Sequence, residues 1–134
     1  MVYNKSKGVA ANSNVTTTMI WGCQWDAVMR WMYNSGDAEK KTYTYDSTGK
    51  GNYSVTGGNA PIPTGSNDVY AVNNIYDMAG NVFDWMIEAN LTNIRIGRGG
   101  NYNYSVHYNP PSNRSGVNPT DSDSFNGSRL ALYM

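Results

Sequence analysis

One cysteine, Cys23, and one histidine, His107, are the residues of this 134-residue sequence best known for nucleophilic and metal chemistry. A reactive thiolate usually needs a base or a second thiol beside it, and zinc- or copper-type centres need several thiolates or imidazoles. One residue of each type cannot build such an arrangement. Most hydrolytic and redox chemistry is therefore disfavoured, and an internal disulfide framework is excluded.

The composition favours one folded domain that binds no nucleic acid. Hydrophobic residues make up 40%, aromatic residues 13% and charged residues 15%, and the formal net charge is zero. Disorder is typical of high charge and few aromatics, and nucleic-acid binding needs a basic surplus. The sequence holds no apolar run of about 18 residues and no apolar segment near its N-terminus, so we expect neither a membrane-inserted helix nor a signal peptide.

A helix is predicted at residues 21–32. Apolar side chains recur there at the period of one helix face, at Trp21, Trp25, Val28, Met29 and Met32. We expect this face to be core, an N-cap at one of the threonines 16–18, and an end at residues 34–36. Cys23, near the start of this helix, is expected to be a small, at least partly buried residue.

Turn residues and short apolar runs predict strands after this helix. Residues 46–68 are turn-rich and predict a long ordered surface loop. A Gly-Asn turn at 80–81 precedes a predicted strand over 82–85, and Ile94 and Ile96 predict another that enters a glycine-rich loop. A last strand over 130–134 is expected to dock in a sheet.

Residues 101–128 have the composition of a recognition surface. They include six Asn, six Ser and three Tyr, and contain no Lys, Glu, Gln, Trp or Met. Tyr supplies rigid contact area and Ser, Gly and Asn supply adaptable hydrogen bonds in binding loops. These five types are also the ones that replacing the two adenines of an Asn codon cannot reach. The alternative interpretation is an ordinary polar loop.

Three motifs resemble formylglycine-generating-enzyme-like domains of the sulfatase-modifying-factor superfamily. They are residues 74–85 (NIYDMAGNVFDW), 98–102 (RGGNY) and 126–130 (NGSRL). The resemblance covers roughly residues 15–134. It implies one α+β domain with a C-type-lectin-like fold across residues 1–134.

The segment from about 95 to 128 is more closely similar to the variable region of diversity-generating-retroelement target proteins. Such proteins use this fold to display a surface that adenine-directed mutagenesis makes hypervariable. The resemblance implies a non-catalytic ligand- or receptor-binding display protein. It implies these ligand-binding residues: Asn103, Tyr104, Ser105, Val106, His107, Tyr108, Ser115, Val117, Asn118, Asp121, Asp123, Ser124 and Phe125. Tyr104, Tyr108 and Phe125 are expected to be anchors. We expect Arg98, Arg114 and Arg129 to bridge backbone carbonyls and carboxylates under the loops.

The enzymes of the superfamily are a weaker match. Their two cysteines follow the Arg-Gly-Gly motif at positions matched here by about Tyr104 and Asn109, and neither residue can act as a thiolate. Related iron-dependent sulfoxide synthases need a histidine cluster. An enzyme of either type, and a carbohydrate-binding lectin-like module that stacks aromatics on sugar, remain alternatives.

Structural calcium is the one cofactor that the resemblance implies. The matching positions are Asp77, Gly80, Val82 and Asp84, which offer two carboxylates and backbone oxygens suited to a hard cation. The alternative is that Asp77 and Asp84 cap turns and accept backbone hydrogen bonds. As partner, the resemblance implies a protein or glycan on a cell surface, and as location a phage tail or a bacterial surface.

Overall fold

The computed structural model describes residues 16–133, which form a mixed α+β fold. The helices and strands in chain order are β1 (Thr16–Met19), α1 (Gly22–Asn34), α2 (Ala38–Tyr45), β2 (Ala71–Val72), β3 (Ile75–Tyr76), β4 (Phe83–Leu91), β5 (Ile94–Arg98), β6 (Ser115–Val117), β7 (Asn126–Ser128) and β8 (Leu130–Tyr133). Neither helix in this range is long and apolar enough to cross a membrane. The α+β class expected from the sequence is confirmed.

Helix α1 follows the predicted apolar stripe but begins differently. The threonines expected to cap it lie in β1, so that prediction is wrong. Trp21 is the N-cap residue instead, and its backbone N–H donates to Gln24 Oε1 at 2.8 Å. The predicted end is confirmed, since the Ser35 hydroxyl donates to the Met32 carbonyl at 2.8 Å. Cys23 is exposed, so the prediction that it is buried is wrong. It lies two residues before the buried Trp25, which places it on the opposite side of the helix.

The strands form one main sheet and two small pairs. The main sheet has the order β6-β5-β4-β7, with β4 antiparallel to β5 and parallel to β7. Strand β8 pairs antiparallel with β1, from Thr16 opposite Tyr133 to Met19 opposite Leu130. The docking of the last strand is thus confirmed over Leu130–Tyr133, and Met134 lies outside the described residues.

The hydrophobic core joins the inner face of α1 to the sheet. Trp25 and Met32 from α1 meet Met86 of β4 and Ile96 of β5 in one buried cluster. Residues 46–68 are not on the surface throughout, because Tyr53 is fully buried in this cluster. Its hydroxyl donates toward two backbone carbonyls that lie 3.0 Å away, and these polar partners let a tyrosine be buried there.

Candidate functional site

A glycine turn redirects the chain from β5 into the candidate surface. Gly99 and Gly100 have φ of +88° and +78°, a region that favours glycine. A Cβ on Gly100 would lie 2.4 Å from the carbonyl oxygen of Asn109, so the close approach of these two segments also requires glycine. Tyr53 holds both sides of the turn, through the carbonyl oxygens of Gly99 and Asn109.

A buried arginine supports the loop that follows. Arg98 is 1% exposed, and its guanidinium donates to the carbonyl oxygen of Ser112 at 2.7 Å and to that of Asn113. It also forms an ion pair with Asp26 of α1. Burial lowers the pKa of Arg98 to about 10, and the neighbouring Asp26 acts against this shift. The guanidinium therefore stays charged at neutral pH and ties α1, β5 and the loop together.

The other two arginines, Arg114 and Arg129, also form ion pairs with carboxylates. Arg114 forms ion pairs with Asp26 and with Glu88. Arg129 forms an ion pair with Asp84, 3.2 Å between Nε and Oδ2, and donates to two backbone carbonyls. The expectation that these arginines bridge carbonyls and carboxylates is confirmed for Arg98 and Arg129, whereas Arg114 joins two carboxylates and is 44% exposed.

Most of the predicted ligand-binding residues lie on the outside of this support. Tyr104 is 49% exposed and Tyr108 is 73% exposed. Others that are exposed are Asn103, His107, Asn118, Asp121, Asp123 and Ser124. Those that are partly buried are Ser105, Ser115, Val117 and Phe125. These side chains are available to a ligand without rearrangement of the loops.

Val106 departs from the prediction. It is 6% exposed and belongs to the hydrophobic core cluster. Its neighbours Ser105 and His107 point less inward, so the loop turns a single apolar side chain toward the core. Val106 is therefore a support of the surface rather than a contact residue.

Aromatic contacts bring separate segments of the surface together. The ring of Tyr104 lies 6.5 Å from that of buried Phe83 in β4, and the ring of Tyr102 lies 5.3 Å from that of Phe125. The hydroxyls of Tyr102 and Ser124 share a hydrogen bond of 2.8 Å. Tyr102, just before segment 103–108, thus lies against segment 121–125. Sequence reasoning missed Phe83 and Tyr102 as supports, although the spacing of Tyr102 just after Arg-Gly-Gly could have indicated one.

The end of the surface is fixed to the sheet by backbone bonds. The N–H of Phe83 donates to the carbonyl of Phe125 at 2.7 Å, where β7 begins its parallel pairing with β4. On the other side, Val117 of β6 and Phe83 both lie against Gly97 of β5, since a Cβ there would be 2.9 Å from Val117 Cγ2 and 3.2 Å from Phe83 Cβ. Phe83 therefore lies near the centre of the surface, beneath the predicted contact residues.

Three of the four residues matched to a calcium site line a small cavity of about 260 Å³. Its lining residues are Thr64, Asp77, Asn81, Val82, Asp84, Ser128, Arg129 and Leu130, so Gly80 is not among them. One Asp77 carboxylate oxygen accepts from the Gly65 N–H at 2.9 Å. The Arg129 guanidinium holds Asp84 and the carbonyl oxygens of Tyr76 and Asp77. With this cation in place, the four residues do not fit a calcium ion.

Within residues 16–133, no three His, Cys, Asp or Glu side chains are grouped so that they could hold a metal ion. Cys23 lies in α1, whereas Tyr104 and Asn109 lie in the loop between β5 and β6. The exposed surface offers aromatic rings, amides, hydroxyls and carboxylates. Such groups suit the recognition of another molecule through stacking and hydrogen bonds.

The sequence profile of the sulfatase-modifying factor enzyme 1-like domain matches residues 8–134. No curated protein sequence matches the chain. Two solved structures share its fold: Treponema denticola variable protein 1, at 21% identity, and CarF, at 19%, each with a TM-score of 0.59. Both cover 87% of this chain, which spans about half, 47%, of theirs. The expected C-type-lectin-like fold is confirmed.

Proposed function

Because this chain belongs to the sulfatase-modifying factor enzyme 1-like domain family, we propose that it uses the family's fold as a non-catalytic scaffold for ligand binding. The single observation that carries this proposal is a separation of roles. Exposed Tyr104 and Tyr108 project from loops whose backbone is held by buried groups such as Arg98 and Tyr53. Exposed aromatic residues on a rigid support are typical of binding surfaces.

The proposal includes diversification of the surface by a retroelement. Of the positions expected to vary, most are exposed or partly buried, so their replacement leaves the core unchanged. The residue types of 101–128, all of which can be reached by replacing the adenines of an Asn codon, and the solved structure named a variable protein support the same interpretation. Hypervariable residues would lie at 103–105, 107–108, 115–118 and 121–125.

We infer no catalysis from the chemistry of the side chains. The positions matched to the two cysteines of the enzymes hold Tyr104 and Asn109, and the thiol of Cys23 lies in another part of the fold. A phenol and an amide cannot replace two soft thiolate ligands. The partner that this surface suits is a protein or a glycan on a cell surface, bound from a phage tail or a bacterial surface.

The test is the DNA sequence next to the gene. Diversification predicts a near-copy of the segment that encodes about residues 95–134, which differs almost only where the copy has adenine, beside a gene for a reverse transcriptase. Sequences of the gene from sister isolates should then differ at the exposed positions and agree at Arg98 and Tyr53. An absent repeat would falsify diversification. The non-catalytic binding role would then be tested by binding of the protein to an array of proteins and glycans.

A further inference from the structure

The Arg129 guanidinium lies where one carboxylate and two carbonyl oxygens converge, and a second carboxylate, that of Asp77, lines the same cavity. Nε of Arg129 is 3.2 Å from Oδ2 of Asp84, and its Nη2 is 2.9 Å from the carbonyl oxygen of Tyr76 and 3.1 Å from that of Asp77. These oxygens belong to β3, to the turn after it and to β4. They are the hard donors that a divalent cation would use.

We propose that Arg129 is the resident cation of this cavity and takes the place that a structural metal ion would otherwise fill. Its planar fork can bind several oxygens at once, which an ammonium group does less well. A divalent ion in a cavity of about 260 Å³ would lie against the guanidinium, and the two like charges would repel.

The surroundings of Asp84 explain why a cation is needed there. Its side chain is 8% exposed, and burial raises its pKa, while the charge and hydrogen bond of Arg129 act to lower it. The nearby Asp77 carboxylate also raises the pKa of Asp84. Without the guanidinium, a buried carboxylate would face a second one with no counter-charge, which is strongly unfavourable.

Because of its position in the chain, Arg129 also helps to place the C-terminal end of the candidate surface. Arg129 is the residue between β7 and β8, and its own carbonyl accepts from the N–H of Ile20 at 3.2 Å. Strand β7 ends the segment that carries Asp123 and Phe125. One side chain therefore joins the end of the surface to β4 and to the turn after β3.

The experiment compares the wild-type protein with Arg129→Gln and Arg129→Lys, by thermal unfolding in EDTA and in millimolar calcium chloride and by metal analysis. We expect the wild type to carry no stoichiometric metal and to unfold at the same temperature in both buffers. Arg129→Gln should unfold several degrees lower in EDTA, and calcium should raise its unfolding temperature, since the oxygens are vacated. Arg129→Lys should lie between the two.

Two results would overturn the proposal. One is calcium that stabilises the wild type as much as Arg129→Gln, and the other is an Arg129→Gln protein as stable as the wild type in EDTA. If Arg129→Gln does not fold, Arg129→Gln/Asp84→Asn answers the question, because removal of both charges should restore folding. A double variant that also stays unfolded would contradict the ion-pair argument. The experiment requires no ligand, so its outcome is independent of the proposed binding role.

Discussion

The exposed ring of Tyr104 rests on the buried ring of Phe83, with 6.5 Å between the ring centroids and an angle of 46° between the planes. One residue can contact a partner, and the other belongs to β4 and to the interior. The contact links the candidate surface to the sheet through a single aromatic pair. It also separates two quantities that mutagenesis can measure, affinity for the partner and free energy of unfolding.

Replacement of the exposed tyrosines should weaken binding far more than stability. We expect Tyr108→Ala to change the free energy of unfolding by less than about 0.5 kcal/mol, as for other exposed sites. Tyr104→Ala, which uncovers Phe83, should cost about 1 kcal/mol. Each should weaken binding at least about 30-fold if it removes an anchor worth about 2 kcal/mol. Surface plasmon resonance against the partner found on the array measures the affinity.

Tyr33→Ala is the matched control for these variants. Tyr33 is an exposed tyrosine on α1, where its ring contacts Lys41 of α2. Its removal should leave binding unchanged. Loss of binding in Tyr33→Ala, or a large loss of stability in Tyr108→Ala, would rule out the proposed anchor role.

Val106→Ala should destabilise the protein by about 2 kcal/mol, because two buried methyl groups are lost from the core. Its neighbour within the same loop provides the comparison. Asn103→Ala removes an exposed side chain and should cost less than about 0.5 kcal/mol. Urea denaturation of both variants gives the free energies. Equal effects would mean that the loop does not direct Val106 into the interior.

Loss of Arg98 should be the most damaging of the arginine substitutions. Arg98→Ala leaves the carbonyls of Ser112 and Asn113 without their buried donor and removes one of the two ion-pair partners of Asp26, so we expect a loss of about 3 kcal/mol. Arg114 binds the same Asp26 but is 44% exposed, so Arg114→Ala should cost no more than about 1 kcal/mol. Chemical denaturation measures both. A larger loss of stability in Arg114→Ala than in Arg98→Ala would show that Arg98 is not the main support of the loop.

Stability should fall as the pH rises above 10. Burial raises the pKa of Tyr43 and of Tyr53 above the ordinary value of 10.0. The stability that these phenols contribute is present below pH 10 and is lost above it, because the unfolded chain releases their protons first. Arg98 acts in the opposite direction, since burial lowers its pKa to about 10. Two phenols outweigh one guanidinium, so the net slope is negative.

Tyr43→Phe should reduce this alkaline loss by about 1.4 kcal/mol per pH unit above pH 10. The Tyr43 hydroxyl has no hydrogen-bond partner within the described part of the chain, so the same change should cost nothing at pH 7. Urea denaturation at pH 8, 10 and 11 provides the comparison, with the exposed Tyr45→Phe as control. An unchanged slope in Tyr43→Phe would contradict the protection of this phenol by burial.

Local patterns predicted much of the fold. The apolar period gave α1, and the apolar run at the C-terminal end gave β8, because both depend on neighbours in sequence. The role of Arg98 and Arg129 also followed from residue type, since a guanidinium among polar loops needs several oxygens. The motif order indicated the family over most of the chain.

Two residues that the sequence placed on the surface are buried for one shared reason. Val106 and Tyr53 lie in polar, turn-rich segments, and only the path of those segments across the core makes them buried. Cys23 is a separate case, because its exposure follows from its position two residues before the buried Trp25 on the helix. Long-range packing of this kind leaves little trace in a window of neighbouring residues.

The residues that support the candidate surface form hydrogen bonds to its backbone carbonyls. Arg98 donates to the carbonyls of Ser112 and Asn113, Tyr53 to that of Asn109, and the N–H of Ser54 to the carbonyl of Tyr104. Every amino acid carries a carbonyl, so a codon change at residue 104 under the proposed diversification would leave its acceptor in place, while residues 109, 112 and 113 lie outside the positions proposed to vary. The contacts that hold the backbone of the candidate surface therefore do not depend on which side chain stands at these four positions.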